Sequence, residues 1–245
     1  MHDFWVFFAF PLNLLLAVLW IVGLIWLYKN YPKCSAVRFL LSPTATISSI
    51  SLLIVSCIWI GLSGDRTFVQ SVAFVVILFY VQTVVFMVLL RGWRRREGEI
   101  KWRFIFLHAG FLIAVGAGFW GSPDSEEFRV RMHRGETVNE AYKLDGSRTR
   151  LSYELTLVDF VVEMSESGQP SHYEVDVTIG DGETVNISVN HPYSVSMGED
   201  IYLASLSEDS CVLQIVREPW RYFALAGVLL MLIGAFMLFI KGPRR

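Results

Sequence analysis

Five stretches of this sequence are long and apolar enough to cross a lipid bilayer, and no other property narrows its fold so far. They run from Phe4 to Tyr28, Phe39 to Leu62, Phe68 to Leu90, Phe104 to Trp120 and Trp220 to Ile240. A helix needs about 20 mainly apolar residues to span the hydrocarbon. In that medium only helices and closed barrels satisfy their own backbone. The first stretch opens with His2 and Asp3 where a secretory signal has a basic region, and it exceeds the roughly 7–15 apolar residues of such a signal. It is read as a retained helix.

Charge then divides the chain. Between Gly121 and Glu218 there are 19 acidic residues against 7 basic ones, while the rest carries 14 basic and 4 acidic, so the net charge of −2 conceals two opposite parts. An acidic, water-soluble insert sits inside a basic, apolar frame, and nucleic acid is excluded as a partner. Lys and Arg are retained on the cytoplasmic side during insertion. Lys29, Lys33 and Arg38 follow span one, Arg91, Arg94, Arg95, Arg96, Lys101 and Arg103 separate spans three and four, and Lys241, Arg244 and Arg245 follow span five. Alternating spans put all three groups on one side. The expected topology is therefore N-terminus out and C-terminus in, with the insert outside. Trp5, Trp26, Trp102, Trp120 and Trp220 mark the span ends, as interfacial indoles do. Anionic membrane lipid is a further plausible partner for the Arg91 to Arg96 cluster.

The insert reads as β structure. Tyr153 to Val162 and Tyr173 to Ile179 alternate apolar and polar residues at the strand period of two. Ser167-Gly-Gln-Pro170, Gly180-Asp-Gly182 and Met197-Gly198 supply turns between further short strands at Thr184 to Val189, Ile201 to Ala204 and Cys211 to Val216. That spacing implies an antiparallel sandwich or an open barrel. The expected fold class is thus a membrane protein, a bundle of five transmembrane α-helices with an inserted extracytoplasmic all-β domain. The divisions are 1–120 for spans one to four, 121–218 for the β domain, and 219–245 for span five and the tail.

Few residues can carry chemistry. Cys34, Cys57 and Cys211 are isolated, with no C-x-x-C, so redox pairs and covalent c-type haem attachment lack their ligands. No Gly-x-Ser-x-Gly occurs, which leaves hydrolase chemistry unsupported. His133 and His172 read as surface or loop-packing residues. The hydroxyls from Ser42 to Ser51 read as helix-packing groups that bond their own backbone. His108 differs, being the histidine of span four, five residues inside Arg103 and so about 7–8 Å along the axis. Ionisable groups at that depth are functional candidates, and neutral imidazole is an axial ligand for haem iron. An interhelical hydrogen bond is the equal alternative, since iron usually takes a second ligand and no second membrane histidine exists. Gly110, Ala114 and Gly118 form a small-residue stripe that admits another helix or a flat cofactor.

Over roughly Arg38 to Lys241 the chain resembles the ResB family, also called CcsB, membrane components of system II cytochrome c maturation. The likeness rests on Phe39-Leu-Leu-Ser-Pro-Thr-Ala-Thr, on His108-Ala-Gly-Phe-Leu-Ile-Ala-Val-Gly-Ala-Gly, and on the order of Leu151 to Phe160, Ser167-Gly-Gln-Pro170, Val189-Asn-His-Pro192 and Ile201-Tyr202. Glu218-Pro219, leading to a final helix with Gly227 and Gly234, also fits. The resemblance implies movement of haem across the bacterial cytoplasmic membrane for attachment to apocytochrome c. It implies that His108 is one axial ligand of a non-covalent haem shared with a partner chain. That partner, a CcsA or ResC-like membrane protein, would carry a tryptophan-rich haem-binding segment and the second imidazole. This chain would be at most a non-catalytic subunit of the lyase, and Asn190-His191-Pro192 would be structural. Two departures from the family are a shorter outer domain and an extra first span. A membrane-anchored assembly subunit that keeps the fold without haem is the alternative; a b-type cytochrome would need histidine pairs that are absent.

Overall fold

The computed structural model describes residues 7–64, 68–69, 71–94, 101–164, 170–207 and 209–241. Its contacts divide the chain into two units, Met1–Pro123 with Trp220–Arg245, and Asp124–Pro219.

In the first unit, five helices are long and apolar enough to span a membrane, and the protein is a multi-pass membrane protein. Helix α1 is Leu12–Asn30, α2 the short Ser35–Leu40, α3 Pro43–Ser63, α4 Val72–Arg94, α5 Trp102–Gly121 and α6 Arg221–Lys241. The third span is displaced four residues from the sequence expectation, to Val72–Arg94, and two further boundaries differ for local reasons. The first span begins only after Pro11, which lacks the amide a helix interior needs, while Phe4 to Val6 lie outside the described residues. The second is interrupted at Leu41: Ser42 caps α3 by accepting from the Ala45 amide at 3.2 Å, and Pro43 occupies the first turn. The end of α2 is held from outside, because Arg91 Nη1 donates to the Leu41 carbonyl at 2.8 Å. Helix α3 stops at Gly64, whose φ of 64° closes a left-handed cap onto Ile60. Its hydroxyls turn back on their own helix, Ser49 to the Thr46 carbonyl and Ser56 to that of Leu52. Ser48 also meets the Tyr80 hydroxyl of α4 at 2.9 Å.

In the second unit, β1 (Glu126–His133), β2 (Thr137–Lys143), β3 (Arg148–Met164), β4 (Pro170–Ile179), β5 (Thr184–Ser188), β6 (Tyr193–Ser196), β7 (Glu199–Leu206) and β8 (Ser210–Arg217) form one antiparallel sheet. Its order is β5-β4-β3-β2-β1-β8-β7-β6. The edge strand β5 comes round against β6 and β7, so the sheet encloses its own core, the open-barrel form of the two expected. Phe128, Leu155, Leu157, Val177, Ile187, Ile201, Leu213 and Ile215 fill it, none more than 1% exposed. Each such side chain stabilises the fold by about 1.5–3 kcal/mol relative to exposure. The sequence reading missed β1, β2 and β6.

Candidate functional site

Helix α5 carries no acidic residue and holds His108 half-buried. The imidazole Nδ1 lies 2.9 Å from the Phe104 carbonyl oxygen one turn back. A carbonyl only accepts, so Nδ1 carries the proton and Nε2 keeps its lone pair. No described residue takes that lone pair. The ring also stacks on Phe104, with centroids 4.0 Å apart and planes 33° from parallel. Phe104 is held in turn by α4: a Cβ built on Gly92 would fall 2.2 Å from its ring, so the ring occupies the space a side chain there would need. Phe104 and Gly92 are positioning residues that the sequence reading passed over. The aromatic four residues before a histidine was the available signal. Among the described residues His108 therefore makes its hydrogen bond within its own helix and none to another.

The small-residue stripe has a helix against it. A Cβ on Gly110 would lie 2.6 Å from the Gly227 carbonyl, one on Gly227 2.5 Å from the Ala114 amide, and one on Gly234 2.9 Å from the Leu107 amide. These are backbone atoms that cannot move aside, so α5 and α6 touch main chain to main chain. Gly118 has nothing within 4 Å. Leu107, Gly110 and Ala114 face α6, whereas His108 projects from α5 about 130° round from them. At the other end of α5, Trp20, Phe79, Phe119 and Trp120 form an aromatic cluster with centroids 4.9–6.4 Å apart. Polar ties cross it: Asn13 Nδ2 donates to the Trp120 carbonyl at 2.8 Å, and Trp20 Nε1 to Thr83 Oγ1 at 3.2 Å. Gln82 is buried beside Thr83, and its Oε1 finds no hydrogen bond among the described residues.

The β unit holds its own polar cluster. Glu199 accepts from the Tyr153 hydroxyl and from Arg217 Nε, the latter at 2.7 Å. Lys143 pairs with Glu126 at 2.8 Å, Arg217 approaches Glu126 at 3.8 Å, and the Arg217 guanidinium covers the Phe128 ring at 5.0 Å. Burial, reinforced by the Glu199 carboxylate, pushes the Tyr153 phenol well above its ordinary range. Burial alone would lower Arg217, but the carboxylates of Glu199 and Glu126 outweigh it and hold the guanidinium above its usual value. His133 bonds the Asp209 carbonyl at 3.1 Å, tying two turns together. Asn190, with φ of 66°, and His191, whose amide reaches the Ser188 carbonyl at 3.0 Å, build the turn between β5 and β6. Both histidines read as fold-making groups. The side chain of His172 lies outside the described residues.

Three comparisons bear on this arrangement. Residues 99–211 match the ResB-like family, a range that takes in α5 and the sheet as far as the start of β8. No curated protein matches the sequence. Among solved structures, a cytochrome c heme lyase, CcmF, aligns with a TM-score of 0.43 at 12% identity, over 93% of this chain and 45% of that one. The chain thus spans less than half the length of that protein.

Proposed function

We propose that this chain is a haem-handling subunit of a cytochrome c maturation complex in the bacterial cytoplasmic membrane, with haem as cargo and apocytochrome c as its destination. The ResB-like match over 99–211 supports the cytochrome c part of this reading. The haem part rests on one observation, the His108 imidazole whose Nδ1 proton is committed to Phe104 and whose Nε2 is open. A metal-bound histidine characteristically donates its other N–H to a carbonyl or carboxylate, which fixes tautomer and ring plane, and Phe104 provides both the carbonyl and the stacking ring. The His108 imidazole would hold the haem iron from this chain. A second imidazole comes from the partner, a CcsA or ResC-like protein with a tryptophan-rich segment. The basic loops then face the cytoplasm and the β unit lies outside.

His108→Ala separates this from a purely structural role. Its lost hydrogen bond is local to α5, so expression and insertion should stay at the wild-type level, while the haem absorbance of the purified complex disappears and is partly restored by added imidazole. Full haem content in the variant, or failed assembly with no haem in the parent complex, overturns the proposal.

A further inference from the structure

The β unit presents two different ends to its surroundings. The chain enters the sheet at Glu126, five residues after Gly121 ends α5, and leaves at Arg217, four before Arg221 begins α6. An extended residue covers about 3.3–3.6 Å, so each of the two connections that lead from this end of the sheet into the helices is at most about 18 Å long. The register brings two hairpin tips to it. Phe128 pairs with Lys143, which sets Leu144 level with Glu127 in the β2–β3 turn. Glu199 pairs with Arg217, which sets Met197 of the β6–β7 turn level with Pro219. There the Glu218 amide bonds the Gly198 carbonyl at 2.6 Å, and a Cβ on Gly198 would lie 3.0 Å from the Pro219 Cα.

Leu144 is 64% and Met197 83% exposed, the two most exposed large apolar side chains described in the unit; Val158, Val161 and Val189 lie elsewhere in the sheet at 39–46%. Exposed apolar residues scattered singly are ordinary. Here the two extremes share one end, the end at which the chain enters and leaves the sheet, while the β1–β2 and β7–β8 turns at the opposite end carry Arg134, Glu136 and Asp209. Beside Leu144, half-exposed Tyr142 lies under the Arg148 guanidinium at 5.6 Å. An apolar body with a polar rim suits the layer between water and acyl chains.

We propose that Leu144 and Met197 are membrane-touching fingers, seated in the headgroup and upper acyl layer of the bilayer that the helices cross. Lipid is the occupant because both short connections lead into helices apolar enough to cross a bilayer. The role is independent of haem, so it stands or falls apart from His108.

The test uses the full chain in nanodiscs of phosphatidylcholine and phosphatidylglycerol, with Cys34→Ser and Cys57→Ser. A nitroxide is placed at Leu144→Cys, Met197→Cys or, as a far-end control, Ser207→Cys; buried Cys211 stays unlabelled. Power saturation compares collisions with oxygen, which concentrates in lipid, and with a water-soluble nickel chelate. Oxygen should exceed nickel several-fold at both tips and the order should reverse at Ser207. Nickel exceeding oxygen at either tip overturns the proposal, as does low collision with both reagents, which would place the tip against protein.

Discussion

Glu199 on β7 ties its neighbour β8 to β3, which is not its neighbour in the sheet. Tyr153 on β3 and Arg217 on β8 both donate to it, so the Tyr153 bond spans the interior of the curled sheet. Tyr153→Phe removes one donor and leaves the carboxylate paired with Arg217. The loss should be about 1–2 kcal/mol, which multiplies the opened population roughly 5- to 30-fold. Cys211, fully buried in the same core, reports it: with Cys34 and Cys57 replaced by serine, a thiol reagent should label Tyr153→Phe faster than its parent by that factor. The same thiol predicts the alkaline behaviour. Burial pushes Cys211 from 9.0 up to about 11. A raised folded-state value means that the stabilisation is complete below the ordinary thiol value and is lost as pH climbs toward 11. Melts followed by near-ultraviolet circular dichroism should fall over that window. In Cys211→Ala they should start lower but run flatter there.

Among the elements, the α5–α6 pair depends on glycine for approach. Gly227→Leu would drive a side chain into the backbone of Ala114 and Gly110, costing at least the 1–3 kcal/mol of ordinary overpacking, and should lower the melting temperature of the purified chain by several degrees. Gly118→Ala, which meets nothing, should leave it within about 0.5 kcal/mol of wild type. Both glycines stand out equally in the sequence, and only the structure tells them apart. The helices were legible because about 20 apolar residues admit few alternatives. The strands β3 and β4 were legible from their alternation, and β5, β7 and β8 as short segments between turn residues. Strand β2 was not, since a register shift between Val138 and Glu140 puts its apolar residues out of step; β1 did carry the period-two signal, Phe128, Val130 and Met132 alternating with Arg129 and Arg131, and the sequence reading passed over it. The break at Ser42-Pro43 was a capping signal hidden inside an apolar run. His108 was legible as a residue. Its committed Nδ1 was not, because a bond from a side chain to its own helix leaves no mark in composition.

For the whole molecule, the basic loops decide orientation. A Lys or Arg placed at a helix centre costs about 2.5–3.5 kcal/mol on insertion scales, so the cluster from Arg91 to Arg103 resists crossing, and the acidic insert contains no span of its own. Reporter fusions after Arg96 and after Glu183 should report opposite sides of the membrane. Two reports from the same side would break the five-span arrangement.

The point of attachment has an evolutionary reading. Strands β1 and β8, through which the chain enters and leaves the sheet, pair along their full length from Glu126 with Arg217 to His133 with Ser210, so the two ends of the domain sit one strand spacing apart, about 5 Å. On the helical side, Gly121 lies directly against Trp220. The β unit is thus spliced into the turn of a helical hairpin whose two arms already meet. A cassette joined in that way can be enlarged, trimmed or exchanged for another whose ends lie close together, without repacking the bundle that houses His108.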